Sequence, residues 1–235
     1  MKVAICLTGH LRCWQTVFPN FKEHFIDRYN PDIFISTWNN EGYWVPTEGP
    51  MGIQEDTPLI DEAAVRVAYN PISIDIENFD DFEPLFAERA KNFPTYFHRP
   101  RNIISMFYKM GMGLQQLERH CMVTGKTYDM VIRMRPDMVM KEPMPDLDPN
   151  NFYTLAHRNH MGQGTGDMFQ IGNPAMVTAF SKIGMHMEAI YSATQLLCPH
   201  VFSVAYIQAL KLPWQEFNVN KIIQHTPNGQ YGHQK

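Results

Sequence analysis

The chain predicts an α/β protein with one Rossmann-like domain, in which a mostly parallel central sheet is flanked by helices and followed by a helical C-terminal extension. Three stretches carry that expectation. Residues 2–38 run as a short apolar segment, a glycine-containing loop, an amphipathic segment and a second apolar segment, the spacing of a βαβ unit with parallel strands. Ile103, Phe107, Met110, Leu114, Leu117 and Cys121 fall at steps of four and three, a helical seam that Gly125 stops. Residues 128–140, YDMVIRMRPDMVM, have the length and composition of a buried strand but carry charges inside it.

The first strand covers 2–7 and is broken by Thr8, Gly9 and His10 before a helix from about 14 to 29. A helix amino end after such a loop offers backbone N–H groups and a partial positive charge to a phosphate, and Arg12 stands where it adds a charge-assisted contact. The second strand, PDIFISTW, ends at Thr37 and Trp38, which parallel pairing places at the same sheet edge as Gly9 and Arg12. Residues 41–61 lack any period and are rich in Gly and Pro, which predicts a long loop. A helix over 61–69, a strand over 72–76 and a helix or loop over 80–92 continue the alternation. On the seam helix, Asn102, Ser105 and Lys109 share a second face, either a cleft wall or a solvated surface.

In the central strand, alternation turns Arg133, Arg135 and Asp137 one way and Ile132 and Met134 the other. Pro136 lacks a donor and pushes Arg135 to an extended conformation, so the ladder frays and Asp137 falls at the strand's carboxyl end, where open α/β sheets bind ligands. The same spacing also suits an internal ion-pair network. Beyond it, 141–151 is a loop, 152–156 a strand, and 157–166 a glycine segment delivering Asp167 to a strand over 168–171; a turn aspartate capping its own backbone is the competing reading. A helix follows from 174 to 183, and 185–212 is mainly helical. The domain expectation is a core over 1–183 with an extension over 184–235 packed on it.

Composition narrows the function classes. With 44% apolar residues the chain buries a large core, and a net charge of −4 excludes a dedicated nucleic-acid binder, leaving only a local basic patch at His98, Arg99 and Arg101. The four cysteines are scattered without zinc-like spacing, which fits a reduced, cytoplasmic setting. No apolar run is long enough to span a membrane, and the first residues are too short a run for a signal peptide. The 16 methionines read as adaptable core filler.

The ordered set CLTGHLR, PDIFISTW, the SMFYK helix, YDMVIRMRPD and GDMFQIG resembles small glycosyltransferases of bacteria and large DNA viruses over roughly residues 2–175. The resemblance implies a GT-A-like fold, a nucleotide-diphosphate sugar as donor substrate and a glycan or other hydroxyl acceptor. It places Thr8, Gly9, Arg12, Thr37 and Trp38 near the nucleotide, with Asn102, Ser105 and Lys109 as a wall for diphosphate or sugar. Where that fold carries a D-x-D triplet, this chain has Arg135-Pro136-Asp137. Asp137 is then the expected ligand of Mg²⁺ or Mn²⁺, or else Arg133 and Arg135 neutralise the leaving diphosphate without a metal. Asp167 is the expected base, with His10 and His157 as further site candidates. Sugar-phosphate nucleotidyltransfer and a non-catalytic carbohydrate-binding role are the alternatives.

Overall fold

Val3–Thr8 forms β1, whose residues are apolar on both faces up to Thr8 and all buried, as a central parallel strand requires. The computed structural model describes residues 1–42, 44–47, 49–53, 57–96, 99–156, 164–226 and 229–231. After β1 come α1 (Trp14–Phe21), a π-helical turn (Lys22–Ile26) and α2 (Asp27–Tyr29). Pro19 lies inside α1. The wider turn that follows accommodates the disturbed ladder while keeping Phe21 and Phe25 stacked and buried. Then β2 (Asp32–Trp38) pairs in parallel with β1.

The expected loop over 41–61 contains a hairpin, β3 (Trp44–Thr47) and β4 (Gly49–Ile53). Two prolines and two glycines within these two strands hide the period-2 signal. The chain continues through α3 (Glu62–Tyr69), β5 (Ser73–Glu77), α4 (Phe79–Ala90) and the 25-residue α5 (Pro100–Thr124). The run over 128–140 divides into β6 (Met130–Met134) and β7 (Met138–Met140). Arg135 N–H still donates to Met168 O at 3.1 Å, but Pro136 has no N–H to offer, and the chain turns out of the sheet there.

Next are β8 (Phe152–Leu155), β9 (Phe169–Gly172), α6 (Pro174–Ser181), a 3₁₀ turn (Lys182–Met185), α7 (Met187–Thr194) and α8 (Pro199–Leu210). The C-terminal region is helical to Leu210 and then returns to sheet as β10 (Trp214–Phe217), β11 (Lys221–Thr226) and β12 (Gly229–Tyr231). These strands are too short for a period to show in the sequence.

The main sheet has the order β10-β8-β9-β6-β1-β2-β5. All its neighbours pair in parallel except β9, which runs antiparallel to both β6 and β8. A second sheet, β12-β11-β7, is antiparallel. Two apolar clusters cover the main sheet. Ile5, Leu7, Ile35, Ile132 and Met134 pack with Phe21, Phe25 and Tyr69 on one face. Ala4, Cys6, Phe34 and Val131 pack with Phe107, Met110, Leu114, Phe180 and Phe202 on the other. The fold is therefore a mixed, mostly parallel sheet between helical layers. Among the described residues no helix is long and apolar enough to cross a membrane.

Phe107 is 1% exposed and stacks at 6.4 Å on Phe202 of α8, whereas Met122, near the end of the same helix, is 86% exposed. Phe107→Ala should lower the unfolding free energy by about 3–5 kcal/mol. Met122→Ala should change it by less than about 0.5 kcal/mol, both read from urea denaturation.

Candidate functional site

From β1 the chain moves outward to β2 and β5, then returns at β6 on the other side of β1. Connections therefore leave the carboxyl ends of β1 and β6 in opposite directions, which makes the crevice outside them the topological switch point of the sheet. Two segments meet there: Thr8 to Cys13 after β1, and Arg135 to Asp137 after β6. Gly9 has φ 108° and its N–H donates to Ser36 O at 3.0 Å, so the turn out of β1 needs a residue without a side chain.

Asp137 is fully buried and holds the two segments together. Arg135 grips it as a fork, Nε to Oδ1 at 2.9 Å and Nη2 to Oδ2 at 2.6 Å. Arg12 Nη1 reaches the same Oδ2 at 3.0 Å, while its Nε donates to Gly42 O at 2.5 Å. Gly42 has φ 60°, and a β-carbon there would stand 2.2 Å from the His10 ring, so a glycine is required for the close approach. The amino end of α1, which the sequence offers to a phosphate, is occupied by the chain's own carboxylate: Cys13 N–H donates to Glu41 Oε2 at 3.1 Å.

Arg133 lies one step deeper and is 1% exposed. Its Nε donates to Thr8 Oγ1 at 2.7 Å, and its Nη1 to Asp167 O at 2.6 Å and Gln170 Oε1 at 2.9 Å. Its Nη2 and the side-chain Nε2 of Gln170 are buried donors without an acceptor among the described residues. Burial lowers Arg133 to about 10, with the charge of Asp167 opposing, so it remains a cation at neutral pH. Thr8 is held in place by α5, where a β-carbon on Gly113 would meet its methyl at 2.5 Å.

The reversal of β9 brings Asp167 to this edge. Because β9 runs against β6, its amino end lies at the carboxyl end of β6, with Phe169 opposite Met134 and Gln170 opposite Arg133. Asp167 is 6% exposed, and its Oδ1 lies 3.7 Å from His200 Nδ1. Burial raises its pKa, but the charges of His200, Arg135 and Arg133 outweigh that and hold the carboxyl below the ordinary value.

Thr8, Gly9, Arg12, Arg133, Arg135, Asp137 and Asp167 are thus gathered at one edge. The other expected residues belong to a buried cluster beneath α4 and α5. Lys109 is fully buried, ion-paired through Nζ with Glu77 Oε2 at 2.5 Å and set 4.0 Å over the Trp38 ring. Tyr108 donates to the other Glu77 oxygen at 2.7 Å. Ser105 and Trp38 are buried, and Thr37 Oγ1 turns back to Trp38 O at 3.3 Å. Asn102 is half-buried in the first turn of α5. The row of Ser105 and Lys109 is therefore an internal face that carries its own counter-charge. His10 stands between the two groups, its ring 6.4 Å from Trp38. Burial, aided by Arg12, lowers its pKa to about 3 and keeps it neutral. His98 and His157 lie outside the described residues.

A divalent cation does not suit Asp137. Both carboxylate oxygens already accept from guanidiniums, and an ion within bonding distance would face two positive charges. Among the described residues no three His, Cys, Asp or Glu side chains stand together as ligands. Among the described residues, Arg12, Arg133 and Arg135 supply the positive charge at this edge. Glu41 and His200 escaped the sequence reading because each is brought in from a distant segment without a local motif, and Gln170, although inside GDMFQIG, meets Arg133 only through the pairing of β9 with β6.

Arg133→Met should cost about 3–5 kcal/mol, since it strands Thr8, the Gln170 side-chain carbonyl and the Asp167 backbone carbonyl without their buried cation. Arg135→Lys keeps the charge but loses the fork, and a cost of about 1.5–3 kcal/mol in urea denaturation is expected. For Asp167, a folded pKa below the ordinary 3.8 means that its contribution is present above pH 3.8 and is lost as pH falls through the folded value. Asp167→Asn should accordingly flatten the acid limb of stability below about pH 4, measured as the urea midpoint at each pH; an unchanged slope would contradict the assignment. Compared with known proteins, the chain matches no family model and no curated protein.

Proposed function

We propose that the chain is a glycosyltransferase of GT-A-like fold that moves a sugar from a nucleotide-diphosphate sugar to a hydroxyl acceptor, with the diphosphate seated outside β1 and β6. One observation carries this reading: Arg12, Arg133 and Arg135 converge at the switch point of the sheet, with two buried donors, Arg133 Nη2 and Gln170 Nε2, left without acceptors among the described residues. A structural ion-pair network would be expected to satisfy its own donors. A site for an oxyanion holds them ready.

The departing nucleoside diphosphate gains negative charge as the bond from the anomeric carbon to its phosphate oxygen breaks. Fixed guanidiniums stabilise that charge with little reorganisation, because Asp137 and Thr8 already orient them. Arg135 is the most accessible of the three, its side chain 17% exposed against 8% for Arg12, and so meets the ligand first. The proton of the acceptor hydroxyl leaves toward the carboxylate side of the crevice, where Asp167 and His200 stand.

A thermal-shift panel of UDP-, GDP-, dTDP- and CMP-sugars tests the reading. At 100 times the dissociation constant a bound donor adds about 2.7 kcal/mol, a rise on the order of 5–10 °C for a chain of this size. We expect that rise for one nucleotide-diphosphate sugar, equal in Mn²⁺ and in EDTA, and reduced in Arg135→Ala. A rise with nucleoside triphosphates and sugar phosphates alone would indicate nucleotidyltransfer, and one with free glycans alone a binding module; no rise with any nucleotide sugar would overturn the proposal.

A further inference from the structure

Gln170 of β9 stands between two polar networks, opposite Arg133 of β6 on one side and Thr154 of β8 on the other. The network at Thr154 is closed. Trp214 Nε1 donates to Thr154 Oγ1 at 2.8 Å, the Thr154 and Thr165 hydroxyls meet at 2.5 Å, and Thr165 Oγ1 donates to Leu155 O at 3.2 Å. The indole N–H and both hydroxyl protons thus have acceptors, as buried donors in a structural network should.

The network at Arg133 is different. A guanidinium has no acceptor atom, so the Gln170 atom 2.9 Å from Nη1 is the carbonyl oxygen, and the other end of the amide is its NH₂ group. That group and Arg133 Nη2 are buried and have no acceptor among the described residues. Arg135 shows what the Nε and Nη2 edge of a guanidinium does with a counter-ion, since it grips Asp137 as a fork. On Arg133 the same edge meets a neutral hydroxyl, Thr8 Oγ1, at Nε and no acceptor at Nη2. Thr8 ends β1 at the crevice, and because its oxygen accepts from Nε, its own proton is left to donate. The acceptors of Arg133 are all neutral, namely the Thr8 hydroxyl, the Asp167 backbone carbonyl and the Gln170 side-chain carbonyl, while the Asp167 carboxylate acts on it through space.

We propose that Thr8, Arg133 and Gln170 form a subsite for one oxygen of a phosphate group, and that Gln170 is the residue that makes this subsite select an anion. The inference rests on the glycosyl-transfer reading, in which that oxygen belongs to the diphosphate of the donor. A lining of donors only accepts an oxyanion and rejects an ammonium, which has nothing but protons to offer. A glutamate at position 170 would have the same size and would meet Arg133 with a charge of the chain's own. Glutamine orients the guanidinium through its carbonyl and leaves the cation to pair with a ligand.

Inorganic pyrophosphate is the probe, added in EDTA to the full chain and read by titration calorimetry and thermal shift. The parent should bind it and melt at a higher temperature. Gln170→Glu should still unfold cooperatively in urea and should bind pyrophosphate about 30-fold or more weakly, because a carboxylate replaces the NH₂ donor and repels the anion. Affinity of Gln170→Glu within about threefold of the parent, or no pyrophosphate binding by the parent, would overturn the proposal. ¹H–¹⁵N spectra of glutamine-labelled parent protein need no variant: the side-chain NH₂ signal of Gln170 should move as pyrophosphate is added, and a signal unmoved at saturation would overturn it. A parent that binds pyrophosphate through Gln170 but no nucleotide sugar supports the subsite and marks failure of the glycosyl-transfer reading. A nucleotide-sugar shift that Gln170→Glu leaves intact supports that reading and overturns the subsite.

Discussion

The Asp137 carboxylate is shared between two guanidiniums, and the geometry of the crevice follows from that sharing. Arg12 comes from the segment after β1 and Arg135 from the end of β6, so one buried anion ties together the two strands between which the sheet changes direction. Arg12, Arg133 and Arg135 stand against Asp137, Asp167 and Glu41, so the charges match in number, and burial keeps water from dispersing the field between them. Removing the anion would leave the arginines facing one another. Removing either arginine would free the segment it anchors. Glu41 acts in the same way on the next element, closing the amino end of α1 with a carboxylate that a ligand would otherwise have supplied.

The reversal of β9 is the second determinant. Had β9 continued parallel to β6, Asp167 would stand at the amino edge of the sheet, away from the arginines. Running antiparallel, it delivers the carboxylate to the carboxyl edge, where Arg133 holds its backbone and His200 faces its side chain. The sheet thus places residues from three separate strand ends in one crevice, which is how a rigid scaffold positions groups more closely than a loop can.

Much of this was readable in the sequence, and the limits have physical causes. The faces of the central strand followed from period 2: Ile132 and Met134 lie in one core cluster while Arg133 turns to the other side of the sheet. Pro136 announced the end of the ladder because a missing N–H is a local property. The seam of α5 was equally plain. What the sequence did not give away were pairings between distant segments. Lys109 found its counter-charge on β5, which converts a row that spacing alone leaves ambiguous into a buried ion pair. Asp137 found two arginines, which fill three of its roughly four acceptor sites and set two positive charges against any cation. Neither Glu41 nor His200 sits in a motif, and only the tertiary fold brings them to the crevice.

Pro136 also joins the two sheets, standing between β6 and β7. One residue past Asp137, Met138 enters β7 and pairs with Ile223 of β11, a strand contributed by the C-terminal part of the chain. The carboxylate therefore sits on the seam between a large parallel sheet and a small antiparallel one, and its position is set by the registration of both. A slip of β11 along β7 would be transmitted through a single peptide to the anion that clamps Arg12 and Arg135, which couples the last strands of the chain to the crevice.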